Sequence, residues 1–215
     1  MRVFLTGGTG VLGRALIPLL TAAGHDTSAP GHGDLDLYDA AAVAEALRDV
    51  GAVYHLATRI PSVRDRAEPG AWSENDRLRA EATRVLVDAA LVNGVQAFIL
   101  PSVTFLYPPE GPVDEDTPLA EAANLGSMVA AEAQVGRFAE SGRRGLVLRL
   151  GLLWGAGTGS DTPVGRYGAS LHEADAGSAL YAALTLSSGV YNVVSNGQRV
   201  SNARFKSATG WTPQH

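Results

Sequence analysis

The chain has 215 residues, of which 46% are hydrophobic and 18% charged, so it is long enough and apolar enough to bury a core as one domain. Its formal net charge of -5 argues against a nucleic-acid-binding protein, because such proteins carry a basic face. The absence of cysteine excludes disulfides, thiolate catalysis and cysteine-ligated zinc, and the five histidines are too scattered for a metal site. We therefore expect a protein without a catalytic metal.

The first residues predict a strand, a glycine-rich turn and a helix. The apolar run 3–5 favours a buried strand, Gly7, Gly10 and Gly13 follow at intervals of three, and helix-forming residues begin at Arg14. In a dinucleotide-binding turn, one glycine permits the tight turn, one lets the backbone approach the pyrophosphate and one lets the helix pack on the strand. The free N–H groups of the helix N-terminus then attract the phosphates. This order predicts a dinucleotide site, and the alternative is an ordinary strand-to-helix turn.

Strands and helices alternate along the rest of the chain. Further strands are predicted over residues 25–29, 52–57, 95–100, 145–152 and 189–194. Helices are predicted over 40–49 (capped by Asp39), 75–93, 125–140 and 173–184, and loops over 60–70, 108–118 and 151–168. Such alternation predicts an α/β fold with a parallel, doubly wound sheet in a single domain spanning 1–215.

Two further features of the sequence concern the location of the protein and the residues exposed on its surface. The N-terminus leads directly into a strand without a signal sequence, and the most apolar tract, 145–154, is short and interrupted by Arg149. These features predict a cytoplasmic protein that binds neither a membrane nor nucleic acid. In the helix 75–93, Arg77, Arg79 and Arg84 interleave with acidic residues, so we interpret all three as part of a solvated face.

The spelling TGGTGVLG over residues 6–13 resembles the short-chain dehydrogenase/reductase superfamily, in particular its extended branch of nucleotide-sugar epimerases and dehydratases and their atypical relatives. Other similar segments are DLDL at 34–37, HLA at 55–57, LRLGLLWG at 148–155, HEADAG at 172–177 and GWTP at 210–213. The resemblance implies a Rossmann-like fold and an NAD(P) cofactor. The cofactor contacts that it implies are Gly7, Thr9, Gly10, Val11, Leu12, Gly13, Asp36, Leu37, Leu56, Ala57 and Thr58.

The choice between NAD and NADP depends on the residue that closes the second strand. An acidic side chain there hydrogen-bonds the ribose 2′-OH of NAD, whereas an arginine accommodates the 2′-phosphate of NADP. The segment 29–32, APGH, offers neither. The missing acid favours NADP, with Arg14 or His32 as candidate partners of the phosphate.

The resemblance breaks down at the catalytic motif. The family uses a tyrosine as acid/base and a lysine four residues later that lowers its pKa. When Ser127 and Glu132 are set against the family's serine and glutamate, the tyrosine position falls on Asn124 and the lysine position on Met128. Neither side chain moves a proton near neutral pH.

The strand end PSVTFLY at 101–107 resembles the family's Ser-Ser-x-x-Val-Tyr-Gly segment, with the substrate-orienting serine position falling on Val103. Ser102 and Thr104 flank it, and with Asn124 they are predicted to hold a substrate carbonyl. The alternative is that both hydroxyls satisfy backbone groups at the strand end. Tyr107 and Tyr167 are candidate replacement acids, although the family uses its tyrosine at the position of Tyr107 for packing.

The chain also differs from the extended members of the family in that its substrate-binding segment is shorter. Only residues 155–171 fill the interval in which extended members carry a substrate-binding segment. A reduced substrate part over 155–215 implies a small carbonyl or hydroxyl substrate, or a pocket open to solvent or completed by a partner chain. The family often pairs helices across a dimer, and the helices 75–93 and 125–140 would form the surface of such a homodimer.

Three functions remain open from the sequence. The first is an NAD(P)-dependent oxidoreductase or epimerase-type enzyme, in which the cofactor supplies the hydride chemistry. The second is a non-redox cyclase, dehydratase or isomerase on the same fold, and the third is a catalytically inactive module that senses NAD(P). The first is favoured because it is the most frequent activity in the superfamily.

Overall fold

The computed structural model describes residues 1–62, 64–121, 125–165 and 168–215. In these residues the strands are Arg2–Thr6 (β1), Asp26–Ser28 (β2), Ala52–His55 (β3), Ala97–Val103 (β4), Arg144–Leu150 (β5), Leu152–Trp154 (β6), Ser170–His172 (β7) and Gly189–Val193 (β8). Six of them form one sheet in the order β2-β1-β3-β4-β5-β8. Every neighbouring pair in this sheet is parallel, which confirms the predicted sheet type.

The helices lie between these strands along the chain, except the last, which follows β8. They are Val11–Ala22 (α1), Ala40–Ala46 (α2), Ser73–Arg77 (α3), Thr83–Val92 (α4), Gly126–Glu140 (α5), Glu173–Ala182 (α6) and Ala203–Thr209 (α7). A π-helical turn, Leu78–Ala82, joins α3 directly to α4, and short 3₁₀ turns occur at Thr104–Leu106 and Ala183–Thr185. The Asp39 carboxylate caps α2 as predicted, since it accepts from the N–H groups of Ala41 and Ala42 at 2.9 and 3.1 Å.

The sheet is covered on both faces. Side chains of α1, α6 and α7, among them Leu16, Leu180 and Phe205, pack on one face. Side chains of α2, α4 and α5, among them Val43 and Phe138, pack on the other. This double cover explains why the strands are almost continuously apolar. No helix in the described ranges combines the length and the apolar composition that crossing a bilayer requires.

Three elements are additional to the sequence-based prediction, namely β6, its partner β7 and the helix α7. Within the predicted loop 151–168, β6 forms a strand that pairs in parallel with β7, in the register Leu152↔Ser170. The partner strand is distant in the chain, so local composition does not reveal the pair. The helix α7 lies in the predicted tail, where its side chain Phe205 is fully buried.

The winding of the sheet reverses beside β1. This strand pairs with β2 on one side and with β3 on the other, so the chain crosses over between β2 and β3. In open α/β sheets such a reversal leaves a crevice outside the carboxyl ends of the strands, where ligands bind. The glycine turn after β1 and residues 56–58 after β3 therefore meet at one edge.

Candidate functional site

The glycine turn packs so closely that a side chain on two of its glycines would collide with backbone. Gly7 has φ +71°, and a Cβ placed on it would lie 2.7 Å from the amide nitrogen of Ala57 at the end of β3. A Cβ on Gly13 would lie 2.5 Å from Cα of Gly8, so the first turn of α1 rests directly on the glycine turn. Both contacts are with backbone, which cannot move aside as a flexible side chain would.

The N-terminus of α1 begins at the crevice with free N–H groups. Gly10 is its N-cap in extended conformation, and no side chain caps the helix. The N–H of Gly10 donates to the carbonyl of Gly7 at 3.0 Å. In the described part of the chain, the amides of Val11, Leu12 and Gly13 donate to no protein acceptor. Unused amides at the positive end of a helix dipole suit a phosphate, so the turn fits the pyrophosphate of a dinucleotide.

The predicted cofactor contacts fall into two groups. Leu12, Leu56, Ala57 and Thr58 line one small cavity of about 40 Å³ beside the glycine turn. Asp36 and Leu37 lie elsewhere: Asp36 is exposed and accepts from the N–H of Tyr38 at 2.9 Å, and Leu37 packs against the core beneath α2 and α4. Thr9 is exposed on the turn, and its carbonyl accepts from Arg14 at 2.6 Å. Their contacts with a cofactor remain predictions.

The same cavity brings three further helical residues to the crevice. Met128 of α5, at the family's lysine position, lines it and is 4% exposed. Arg79 of the π turn and Thr83 of α4 line it as well. His55 also contacts the cavity, and burial lowers the pKa of its imidazole to about 4, so the ring is neutral near pH 7.

Arg79 departs from the interpretation of its helix as a solvated face. Arg77 and Arg84 do pair on the surface with Glu81 and Asp88, at 3.1 and 3.2 Å. Arg79 points into the crevice instead, and its Nε is buried without a hydrogen-bond partner. Helical spacing could have revealed this, because Arg79 precedes the buried Leu86 by two helical turns.

The predicted catalytic hydroxyls of Ser102 and Tyr107 belong to a buried polar network. Ser102 donates to the carboxylate of Glu132 at 2.5 Å, and Glu132 forms a bidentate pair with Arg149 at 2.7 and 3.1 Å. Arg149 also donates to the hydroxyl of Tyr107 at 2.9 Å, and Tyr107 donates to the side-chain oxygen of Asn192 at 2.8 Å. Burial raises the pKa of Tyr107, and the hydrogen bond from Arg149 only partly opposes it.

The proton of each described catalytic candidate is therefore donated to a protein group. Thr104 is fully buried and donates to the carbonyl of Leu150 at 3.3 Å. Ser102 and Tyr107 are 2% and 3% exposed. None of the three lines the cavity beside the glycine turn. Asn124 and Tyr167 lie outside the described residues, so their roles stay predictions from the sequence.

Sequence reasoning missed the ion pair at the centre of this network. In the sequence, Arg149 only interrupts an apolar run, and its partner Glu132 lies on a different element. Burial works to lower the pKa of Arg149, but the hydrogen bonds and charge of Glu132 raise it above the ordinary value. The available signal was the charged residue itself, because an arginine within a strand covered on both faces requires a buried partner.

A larger, open cavity of about 490 Å³ lies between residues 112–117 and 195–202. None of the predicted site residues lines it. Its volume therefore does not identify the functional site, whereas the glycine turn, the free helix amides and the switch in sheet winding coincide at the smaller cavity.

The chain spans little more than half the length of the curated relatives that it matches. It is 38% identical over 178 residues to a 3-diazoavenalumate denitrifying reductase of a Streptomyces species, covering 74% of this chain and 58% of that protein. It is 29% identical over 181 residues to the 2-alkyl-3-oxoalkanoate reductase of Stenotrophomonas maltophilia, covering 73% and 52%.

Solved structures share the fold. The structure of MoeE5 in complex with UDP-glucuronic acid and NAD superimposes with a TM-score of 0.82 at 20% identity, over 100% of this chain and 94% of that one. The sequence model of the NAD dependent epimerase/dehydratase family matches residues 3–189. This match includes the glycine turn, the crevice and the buried ion pair. The chain therefore belongs to the NAD dependent epimerase/dehydratase family.

Proposed function

We propose that the chain binds NAD(P) at the glycine turn and acts as a reductase-type enzyme on a small carbonyl compound that carries a carboxylate. The observation that carries the proposal is the close contact of Gly7 and Gly13 with backbone next to the unused amides of α1. The two relatives named as reductases support the reaction type, and both of their printed substrate names denote carboxylates. When bound, the cofactor supplies or accepts the hydride.

The chain's own residues have three tasks in this proposal. The amides of Val11, Leu12 and Gly13 hold the pyrophosphate, and Leu56, Ala57 and Thr58 shape the wall beside the nicotinamide. Residues 155–215 serve as a reduced substrate part. Direct donation of a proton by Ser102, Thr104 or Tyr107 would require that hydroxyl to exchange its present protein acceptor for the substrate. In the present arrangement, the alkoxide formed by hydride transfer would take its proton from water.

We propose NADPH rather than NADH as the preferred form. The strand β2 ends at Ser28 and is followed by Ala29 and Pro30, so no carboxylate closes it. His32 is exposed in the following turn and is the candidate neighbour of the 2′-phosphate. Replacing it (His32→Ala) should weaken NADPH binding and leave NADH binding unchanged.

The decisive experiment is a calorimetric titration with NADPH, NADH and their oxidised forms on the wild type, Gly10→Asp and Gly10→Ala. Position 10 is the N-cap of α1, where aspartate is favoured, so Gly10→Asp should fold. Its carboxylate would accept from the amides that the phosphates need and repel them. We expect binding to be lost in Gly10→Asp and weakened much less in Gly10→Ala.

Turnover assays on the same proteins, read together with the titration, distinguish the alternatives. Cofactor turnover with a 3-oxo acid supports the reductase, and turnover of a substrate without cofactor change supports the non-redox enzyme. Binding without any turnover supports the sensing module. A wild type that binds none of the four nucleotides would contradict the proposal altogether.

We also propose a homodimer through α4 and α5. These helices lie side by side, and each keeps an apolar side chain at the surface: Val92 is 84% exposed and Val129 43% exposed. Pairing of these helices across a dimer would bury both apolar side chains. Sedimentation of the wild type and of Val129→Glu should show a dimer that the substitution dissociates.

A further inference from the structure

The cavity beside the glycine turn contains a cation without a counter-ion. Arg79 is the one charged side chain among the described residues that line it, because His55 is neutral. Its Nε is buried and unpartnered, and none of its nitrogens takes part in an ion pair with a described residue. Asp76, the acid whose charge acts on Arg79, accepts a hydrogen bond from Ser127 at 2.6 Å instead.

Three other arginines of the chain have acidic partners. Arg77 and Arg84 on the same helical stretch pair with Glu81 and Asp88, and the buried Arg149 pairs with Glu132. Burial lowers the pKa of Arg79, and the charge of Asp76 only partly opposes it. A guanidinium stays protonated in proteins, so Arg79 is a partly desolvated cation. Such a charge is unfavourable unless something anionic pairs with it.

Thr83 adds a second unpartnered group to the same cavity. It lies four residues after Arg79 and therefore on the same helical face. Its side chain is fully buried, and its hydroxyl has no hydrogen-bond partner. A threonine hydroxyl and a guanidinium both donate hydrogen bonds, so the two groups suit one acceptor that also carries negative charge.

We propose that Arg79 and Thr83 form an anion-binding site that takes an oxyanion of the bound ligand. This inference rests on the proposed function, and it leaves two sources of the same chemistry. One is the pyrophosphate of the dinucleotide, which would be bound next to Leu12 on the cavity wall. The other is the carboxylate of the substrate. About 40 Å³ accommodates one such group and little else.

The test compares Arg79→Met with Arg84→Met. The control removes an exposed arginine of the same helix that is already ion-paired. Because Arg79→Met removes an uncompensated charge from beside Met128, its urea midpoint should equal or exceed that of the wild type. Loss of affinity in a fold of undiminished stability then reports binding alone.

Two measurements separate the sources. Titration with NADPH should show at least a tenfold weaker affinity in Arg79→Met when the pyrophosphate is the partner. When the carboxylate is the partner, NADPH affinity stays unchanged, and kcat/KM for a 3-oxo acid falls at least tenfold while that for its methyl ester is kept. Thr83→Val should give a smaller change in the same quantity, and Arg79→Lys a partial rescue.

Unchanged NADPH affinity together with an unchanged preference for acid over ester would overturn the anion site. It would show that water suffices for Arg79 and Thr83. A wild type that binds no dinucleotide would instead overturn the proposed function. Inorganic pyrophosphate would then be titrated alone, and equal affinities of the wild type and Arg79→Met would overturn the anion site independently.

Discussion

The Nδ1 of His55 lies 2.7 Å from the hydroxyl oxygen of Thr6 and ties the end of β3 to the end of β1 under the glycine turn. The same hydroxyl oxygen accepts from the N–H of Ala57 at 3.1 Å. On the other side of the ring, Nε2 faces the carbonyl of Leu78 at 3.4 Å, and a carbonyl can only accept. We therefore assign the proton to Nε2, so that Thr6 donates to Nδ1.

This arrangement requires a neutral ring and predicts acid sensitivity. Burial lowers the pKa of His55 to about 4 from 6.5, so the unfolded chain binds more protons between these values and stability falls as pH falls through that window. The loss of stability begins near pH 6.5 and amounts to about 3 kcal/mol once the pH is well below 4. Urea unfolding between pH 7.5 and pH 4.5 should show a steeper loss for the wild type than for His55→Asn.

If the free energy of unfolding fell equally with pH in the two proteins, the prediction that His55 is buried as a neutral ring would be wrong. Because His55→Asn could fold poorly, the ring itself provides an independent measurement. An NMR titration of the wild type should show the His55 ring still neutral at pH 5.5, where an unperturbed histidine is mostly charged.

The close packing of Gly13 predicts that adding one methyl group at this position lowers the stability of the fold. In Gly13→Ala, the new Cβ would meet the backbone of Gly8 at 2.5 Å, and overpacking of this kind costs about 1–3 kcal/mol. Gly136 offers a matched control, since it lies on the exposed face of α5 with nothing within 4 Å of its Cβ position. Gly136→Ala should therefore stabilise the protein by up to about 1 kcal/mol. Urea unfolding measures both, and a harmless Gly13→Ala would refute the packing argument.

Because Glu132 and Arg149 form an ion pair, substitutions of the two residues should have strongly non-additive effects on the free energy of unfolding. Their side chains are 10% and 7% exposed, so removing one leaves a buried charge. Arg149→Leu should cost about 3–5 kcal/mol, whereas adding Glu132→Leu should restore much of that stability. A double-mutant cycle in urea tests this. Additive losses would mean that the two side chains do not compensate each other's charge.

The sequence predicts the glycine turn well because its determinants are local. Gly7, Gly10 and Gly13 are recognised by spacing, and the strand and helix on either side are continuous patterns. The same holds for the N-cap Asp39, whose partners are two and three residues away. Where the chemistry depends on neighbours in sequence, spacing is sufficient.

The rest of the site depends on contacts that spacing does not show. Arg149 is 17 residues from Glu132, and Tyr107 is 85 residues from Asn192, so these bonds follow from the packing of α5, β5 and β8. The catalytic prediction for Ser102 depended on which group its hydroxyl faces, and that group belongs to another element. The interleaved charges of its helix indicate a surface position for Arg79, whereas the structure places it in the wall of the cavity.

The contact between Tyr107 and Asn192 also has a consequence for synthesis on the ribosome. The 85 residues between them take roughly 4 to 17 s to translate at typical rates. During that interval β4 and α5 have emerged, but the hydroxyl of Tyr107 lacks its native acceptor. Until β8 is synthesised, the edge of β5 that pairs with it stays open, so the last strand of the sheet completes both the sheet and the hydrogen bonding of the buried network.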